Sequence, residues 1–126
     1  MGRRLPRRTE AAGNLGSNGH CEWRENALVH AAAIRYDLHI PQSRSLKVKR
    51  HAIRPIVDGL RHRYHLSVSE VDYQDQWQRA AIAVAVVASS ESQLREILAN
   101  VERFVVATPD VEVLDIETAW LESERA

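Results

Sequence analysis

The sequence contains a single cysteine, Cys21, so it cannot form an intrachain disulfide or a zinc site made of cysteines alone. No apolar run approaches the roughly 20 residues that a transmembrane helix needs. The arginines near the N-terminus are not followed by an apolar segment, so the sequence predicts no secretory or twin-arginine signal. These absences predict a protein of the reducing cytoplasm that does not span a membrane.

The sequence also lacks the patterns of common catalytic and cofactor sites. It offers no Ser/His/Asp or Cys/His arrangement that indicates nucleophilic catalysis. The glycines within residues 13–19 follow no predicted strand and precede no Lys-Ser/Thr pair, so they do not predict a phosphate loop. Asp72 and Asp75 are typical of a turn. His62 and His65 have no evident third metal ligand. We therefore predict a non-enzymatic protein with no cofactor and no metal site.

Charge is distributed unevenly along a chain whose formal net charge is zero. Residues 44–65 carry seven Lys and Arg against Asp58, which gives +6. Residues 110–126 carry six acidic side chains against Arg125, which gives −5. A strongly basic segment in a neutral protein creates a local field, and this field predicts an anionic partner.

The first 28 residues differ in composition from the rest of the chain. They hold four of the five glycines and little hydrophobic periodicity, so we predict a disordered extension at 1–28 that the fold does not need. An alternative translation start at Leu28 or Val29 would explain the same composition. We expect one folded domain over 29–121 and a frayed tail at 122–126.

Hydrophobic periodicity predicts six elements within this domain. In chain order they are a strand over 32–40, a helix over about 45–64, a strand from Leu66, a strand over 81–86, a helix over about 91–106 and a strand over 114–120. With right-handed crossovers, this β-α-β-β-α-β order predicts an α+β, ferredoxin-like fold. Its four-stranded antiparallel sheet has strand order 4-1-3-2, and both helices lie on one face.

Local patterns predict how the helices begin. Ser45 precedes the first helix as an N-cap, and Ser90 with Gln93 has the spacing of a capping box before the second. Pro55 removes a backbone donor inside the first helix and predicts a kink there.

Three stretches together resemble one known family: LHIPQSRSLKVKR (38–50), VSEVDYQDQWQRAAIAVAVVA (68–88) and VEVLDIE (111–117). They are similar to the YlxP-like family of bacterial proteins, a domain of unknown function, over roughly residues 29–121. The resemblance implies a ferredoxin-like fold and a gene neighbourhood among translation and ribosome-maturation genes, beside ribosome-binding factor A. It implies no catalytic residues. Val48 departs from the family, whose members often carry a charged residue there.

The first helix carries the predicted RNA- or anion-binding site. Cations at helical spacing match the repeated phosphates of a nucleic acid. The predicted site consists of Lys47, Lys49, Arg50, Arg54 and Arg61. Lys47, Arg54 and Arg61 follow one another at intervals of seven residues, so we expect them nearly in line on one face of the helix. Ribosomal RNA or a ribosome-associated protein is the predicted partner, and an ordinary solvated helix face is the alternative.

The sheet face away from the helices is a second candidate surface. Residue parity places small side chains there beside a tryptophan, which suits a partner sheet and predicts a homodimer. The predicted interface consists of Ala31, Ala33, Trp77, Arg79, Ala81 and Ala83. An exposed, alanine-rich sheet face without a partner is the alternative.

Overall fold

The computed structural model describes residues 29–121, which form a four-stranded antiparallel sheet with two helices. The elements are β1 (His30–His39), α1 (Leu46–Asp58) with a π-helical continuation (Gly59–Arg63), β2 (Ser67–Asp72), β3 (Arg79–Ala88), α2 (Glu91–Val106) and β4 (Glu112–Trp120). The strand order is β2-β3-β1-β4, which is the predicted order read from the other edge. The predicted ferredoxin-like fold is confirmed. The predicted extension at 1–28 and the tail at 122–126 lie outside the described residues.

The core lies between one face of the sheet and the apolar stripes of the two helices. Pairing of β1 with β3 sets Ile34 opposite Val84 and Tyr36 opposite Ile82, and all four side chains are buried. The predicted parity of these strands is therefore correct, because side chains alternate between the two faces of a strand. The helices contribute Ile53, Ile56 and Leu60 from the first helical segment and Leu94, Val101 and Val105 from α2.

A β-bulge changes which residues of β4 face the core. The register between β1 and β4 shifts at Asp37 and Leu38, so Leu38 pairs with Val113. Leu114 is the extra residue and is 52% exposed, although simple alternation groups it with Ile116. Simple alternation fails for Leu114 because a bulge inserts one unpaired residue and reverses the parity beyond it.

Both predicted helix starts are present. The Ser45 hydroxyl accepts a hydrogen bond from the Val48 backbone N–H (3.1 Å), and the Ser90 hydroxyl accepts one from the Gln93 N–H (3.1 Å). The Gln93 Oε1 accepts from the Ser89 backbone N–H (3.0 Å), one residue before the position that a standard capping box uses. These bonds satisfy N–H groups that have no partner within the helix.

The first helix widens after Pro55. The α-helical segment continues through Pro55 to Asp58, and the π-helical turn begins at Gly59, where the Tyr64 N–H donates to the Gly59 carbonyl (3.1 Å). The Phe104 ring of α2 lies against Gly59 so closely that a Cβ atom would overlap it. The lack of a side chain at Gly59 thus permits this close approach of the two helices.

Candidate functional site

The exposed face of α1 carries three cations within two helical turns. Lys47, Arg50 and Arg54 are exposed, and their spacing of three and four residues places them on one helix face. None of the ion pairs within residues 29–121 involves these side chains. Asp58, four residues after Arg54, does not neutralise it. The structure thus presents these cations to solvent, and no acidic side chain among residues 29–121 forms an ion pair with them.

Arg61 is exposed but does not continue this row. It lies in the π-helical segment, whose wider turns change the angular spacing from that of an α-helix. Its Nη2 donates to the Val68 carbonyl of β2 (3.0 Å), and it lines an open depression with His65 and Leu66. Seven-residue spacing therefore did not place Arg61 correctly. Arginine has five N–H donors, so Arg61 retains others for a ligand.

Lys49 was wrongly assigned to the exposed basic face. Its side chain is 1% exposed, and its Nζ donates to Glu70 Oε2 at 3.1 Å. The same ammonium lies 2.9 Å from the Tyr73 carbonyl, 3.4 Å from the Gln74 carbonyl and 3.2 Å from the Arg79 carbonyl. Two residues after Lys47, it faces the opposite side of the helix, toward the sheet. Lys49 therefore fixes the β2–β3 connection to α1 and is not available to RNA.

Further hydrogen bonds attach the β2–β3 connection to the loop before α1. Gln78 Nε2 donates to the carbonyls of Pro41 (3.3 Å) and Ser43 (3.2 Å). The Ile40 N–H donates to the Gln78 carbonyl (2.9 Å), and Ser43 is fully buried. The β2–β3 connection (73–78) and the loop before α1 (40–45) are thus hydrogen-bonded to each other. Together they form one corner of the molecule, at the N-terminal end of α1.

Trp77 lies in this corner and not in the sheet. It precedes β3 and its side chain is 55% exposed. Trp77 was predicted by strand parity to lie on the open face, but it is outside the strands, so that parity does not apply to it. Nearby Tyr73 adopts a positive φ of 61°, and the Arg79 guanidinium lies 4.4 Å from its ring centroid. The predicted interface residue Arg79 thus contacts an aromatic ring of the connection.

The open sheet face carries an ion-pair network at the end nearest this corner. Arg35 Nη2 in β1 donates to Asp37 (3.2 Å) and across β3 to Asp72 in β2 (3.3 Å). The Tyr73 backbone N–H and the Arg35 guanidinium lower the pKa of the Asp72 carboxyl. Ala81 pairs with Asp37 on one side and Asp72 on the other, and it is fully buried. Ala81 is therefore not an exposed interface residue, because the charged side chains cover it.

In β1, β3 and β4 the other half of the open face carries small apolar side chains, and Ser67 and Ser69 of β2 border it. In the register of β1 with β3, Ala31 pairs with Val87 and Ala33 with Ala85. Ala33 also pairs with Ala119 of β4, and Val87 is 69% exposed. Ala83 lies on the same face, opposite Arg35. The prediction that Ala31, Ala33 and Ala83 lie on one face of the sheet is therefore correct. The same face continues into β4 through Ala119.

Within residues 29–121, no three His, Cys, Asp or Glu side chains come together as a metal site requires. In the same part of the chain, no helix has the length and apolarity needed to cross a membrane.

Comparison with known proteins identifies the family. The sequence model of the family described as "Protein of unknown function (DUF503)" matches residues 31–118. The chain belongs to this family. It is also similar to the uncharacterized protein YlxP of Bacillus subtilis (strain 168), with 36% identity over 76 residues, which cover 60% of this chain and 83% of that protein. The resemblance deduced from the three sequence stretches is confirmed.

The DUF503 match includes both surfaces described above. It contains the whole of α1, the β2–β3 connection and the residues of β1 and β3 that form the open face. The two stretches 38–50 and 68–88 that carried the resemblance meet in the corner where Lys49 and Gln78 make their hydrogen bonds. This corner is therefore built from the segments by which the family was recognised.

Proposed function

We propose that this protein is a non-enzymatic RNA-binding module that holds RNA phosphates along the exposed face of α1. The observation that carries the proposal is the row formed by Lys47, Arg50 and Arg54, exposed and free of ion pairs with described residues. Each cation that meets a phosphate releases condensed counterions, which supplies most of the affinity in such complexes.

Local charge favours this face over the rest of the surface. The segment 44–65 has a formal charge of +6. One of its cations, Lys49, is buried and paired with Glu70. The segment 110–126, which contains β4, has a formal charge of −5. In a protein of zero net charge, such separation orients the molecule with α1 toward a polyanion. The translation-linked gene neighbourhood implied by the family resemblance makes ribosomal RNA the first ligand to test.

Matched charge-removing variants test the proposal. We expect Arg50→Gln with Arg54→Gln to weaken binding to labelled ribosomal RNA fragments and to reduce the slope of log affinity against log salt by about two. Arg95→Gln with Arg103→Gln removes the same charge from exposed positions of α2 and should leave affinity unchanged within about twofold. Fluorescence anisotropy over a salt series measures both effects.

Two results contradict the proposal. If the wild-type protein does not bind RNA at about 50 mM salt, where phosphate contacts are strong, it has no general RNA affinity. If the α2 variant loses as much affinity as the α1 variant, the effect follows net charge and α1 is not the binding face.

A homodimer that forms through the apolar half of the open sheet face is a second candidate function. The observation that favours it is Val87, which is 69% exposed on a face that it shares with Ala31, Ala33 and Ala85. Exposed apolar side chains on a flat sheet face can be buried by a second copy of the same face.

A further inference from the structure

Trp77 differs from the other aromatic side chains whose contacts the structure describes. The rings of Tyr64 and Phe104 pack in a tilted arrangement at a centroid distance of 5.4 Å, and the Arg95 guanidinium lies over the Trp120 ring at 5.1 Å. Among the described residues, no aromatic ring or cation stacks on the Trp77 indole, which is 55% exposed. A large, amphipathic ring is thus left open to an external ligand.

The backbone that carries Trp77 is fixed on both sides. The Lys49 ammonium binds the carbonyls of Tyr73, Gln74 and Arg79, and the side chain of Gln78 binds the loop before α1. Ordering a flexible loop upon binding costs free energy, so a support that is already ordered favours ligand affinity. The indole is therefore presented on a fixed support and not on a free loop.

The same contacts join the segment that carries Trp77 to the loop before α1. Gln78, its neighbour in sequence, binds the Ser43 carbonyl, and the exposed Arg44 follows Ser43 directly. The exposed Arg44 and the open ring of Trp77 thus belong to two segments that are hydrogen-bonded to each other.

We infer that Trp77 and the cations at the start of α1 form a site for an unpaired stretch of RNA, in which a base stacks on the indole and Arg44 and Lys47 hold its phosphates. The inference rests on the proposed function and names the kind of RNA. Duplex bases are stacked within the helix, and the A-form major groove is too narrow for a side chain, so only an unpaired base can lie on this ring. Stacking of this kind accepts any base.

Charge complementarity favours RNA over an apolar protein partner at this corner. A protein interface around an exposed tryptophan usually has a core depleted of charged residues. Here the loop that is hydrogen-bonded to the connection carries the exposed Arg44, and the exposed Lys47 and Arg50 follow it in α1. Single-stranded nucleic-acid sites combine such cations with aromatic platforms.

The test compares a 12-nucleotide RNA without self-complementarity and the same strand annealed to its complement, both with the full-length protein. We expect the wild type to prefer the single strand. Trp77→Ala should weaken single-strand binding about tenfold and leave duplex binding unchanged, whereas Trp77→Phe should retain most of the affinity. Leu114→Ala removes a similarly exposed apolar side chain from β4 and should have no effect.

Fluorescence provides a measurement that needs no change at the site. In a Trp23→Phe, Trp120→Phe background, the emission of Trp77 should be quenched by the single strand and not by the duplex, because a stacked base quenches indole emission directly. If single-strand binding leaves this emission unchanged, or if Trp77→Ala weakens both RNAs equally, the inference is overturned. The proposed function still stands in that case, provided that Arg50→Gln with Arg54→Gln weakens binding.

Discussion

The Nζ atom of Lys49 lies 3.1 Å from the Oε2 atom of Glu70, which joins α1 to β2 by an ion pair between a buried lysine and a half-buried glutamate. The same ammonium binds two backbone carbonyls of the β2–β3 connection and the carbonyl of Arg79, the first residue of β3. A single side chain of α1 thus holds together a strand and the segment that presents Trp77. The position of Trp77 therefore depends on a buried lysine in α1.

Replacing this lysine should destabilise the fold. We expect Lys49→Met to lower the free energy of unfolding by about 2–3 kcal/mol, because Glu70 loses its partner and the buried carbonyls lose their donor. Urea denaturation followed by circular dichroism measures the change. Lys47→Met removes an exposed lysine from the same helix and should alter stability by less than about 0.5 kcal/mol. Equal stability of the two variants would show that the buried ion pair contributes nothing.

Stability should fall at high pH because of Tyr36. Its side chain is almost fully buried in β1, and this burial, together with the nearby charge of Glu102, raises the pKa of the Tyr36 hydroxyl. The unfolded chain releases this proton near pH 10 and the folded protein only at higher pH. The contribution of the Tyr36 hydroxyl to the free energy of unfolding is thus fully present below about pH 10. It is lost as the pH rises further, by up to about 1.4 kcal/mol per pH unit.

The Tyr36→Phe variant isolates this effect. Its free energy of unfolding should decline less steeply between pH 10 and pH 11 than that of the wild type, as measured by urea denaturation at each pH. At pH 8 the hydroxyl is protonated in both states, so a comparison there gives the cost of the substitution itself. Parallel curves for the two proteins above pH 10 would contradict the assignment to Tyr36.

The dimer alternative makes a separate prediction. If the apolar half of the open face is buried between two copies, Ala33→Glu with Val87→Glu should convert a dimer to a monomer, because a charge in a desolvated interface is costly. Val106→Glu changes an exposed valine of α2, on the helix layer, and should leave the dimer intact. Light scattering at high micromolar concentration measures the mass. A wild-type monomer under these conditions rules the dimer out.

The fold could be predicted because its signals are local. Alternation in β1 and β3 and helical spacing in α1 and α2 each depend on residues close in sequence, and the short connections leave few ways to join the elements. Ser45 and Ser90 could be identified as caps for the same reason. Bulges are different, since they depend on how two strands meet, and this is why alternation alone does not place Leu114.

The sequence contains an indication that Lys49 is buried, although its charge alone suggests an exposed position. Lys49 shares the helical spacing of Ile53 and Ile56, which face the core, and Glu70 shares the strand parity of Val68. A lysine and a glutamate at core positions indicate a buried ion pair, because an unpaired charge there is too costly. Hydrophobic spacing identifies the face on which each residue lies but not its partner. Lys49 and Glu70 are 21 residues apart, so the sequence does not show that they meet. The hydrogen bonds of Gln78 gave no such signal.

The central position of β1 governs when the sheet can be completed during synthesis. β1 is the first strand of the described chain, and it pairs with β3 on one side and with β4, the last element, on the other. Until β4 has left the ribosome, one row of backbone amides and carbonyls of β1 stays unpaired, as an edge to which another strand can add. Cotranslational folding of this domain therefore ends with its last strand, and a chain interrupted before β4 exposes its central strand to aggregation.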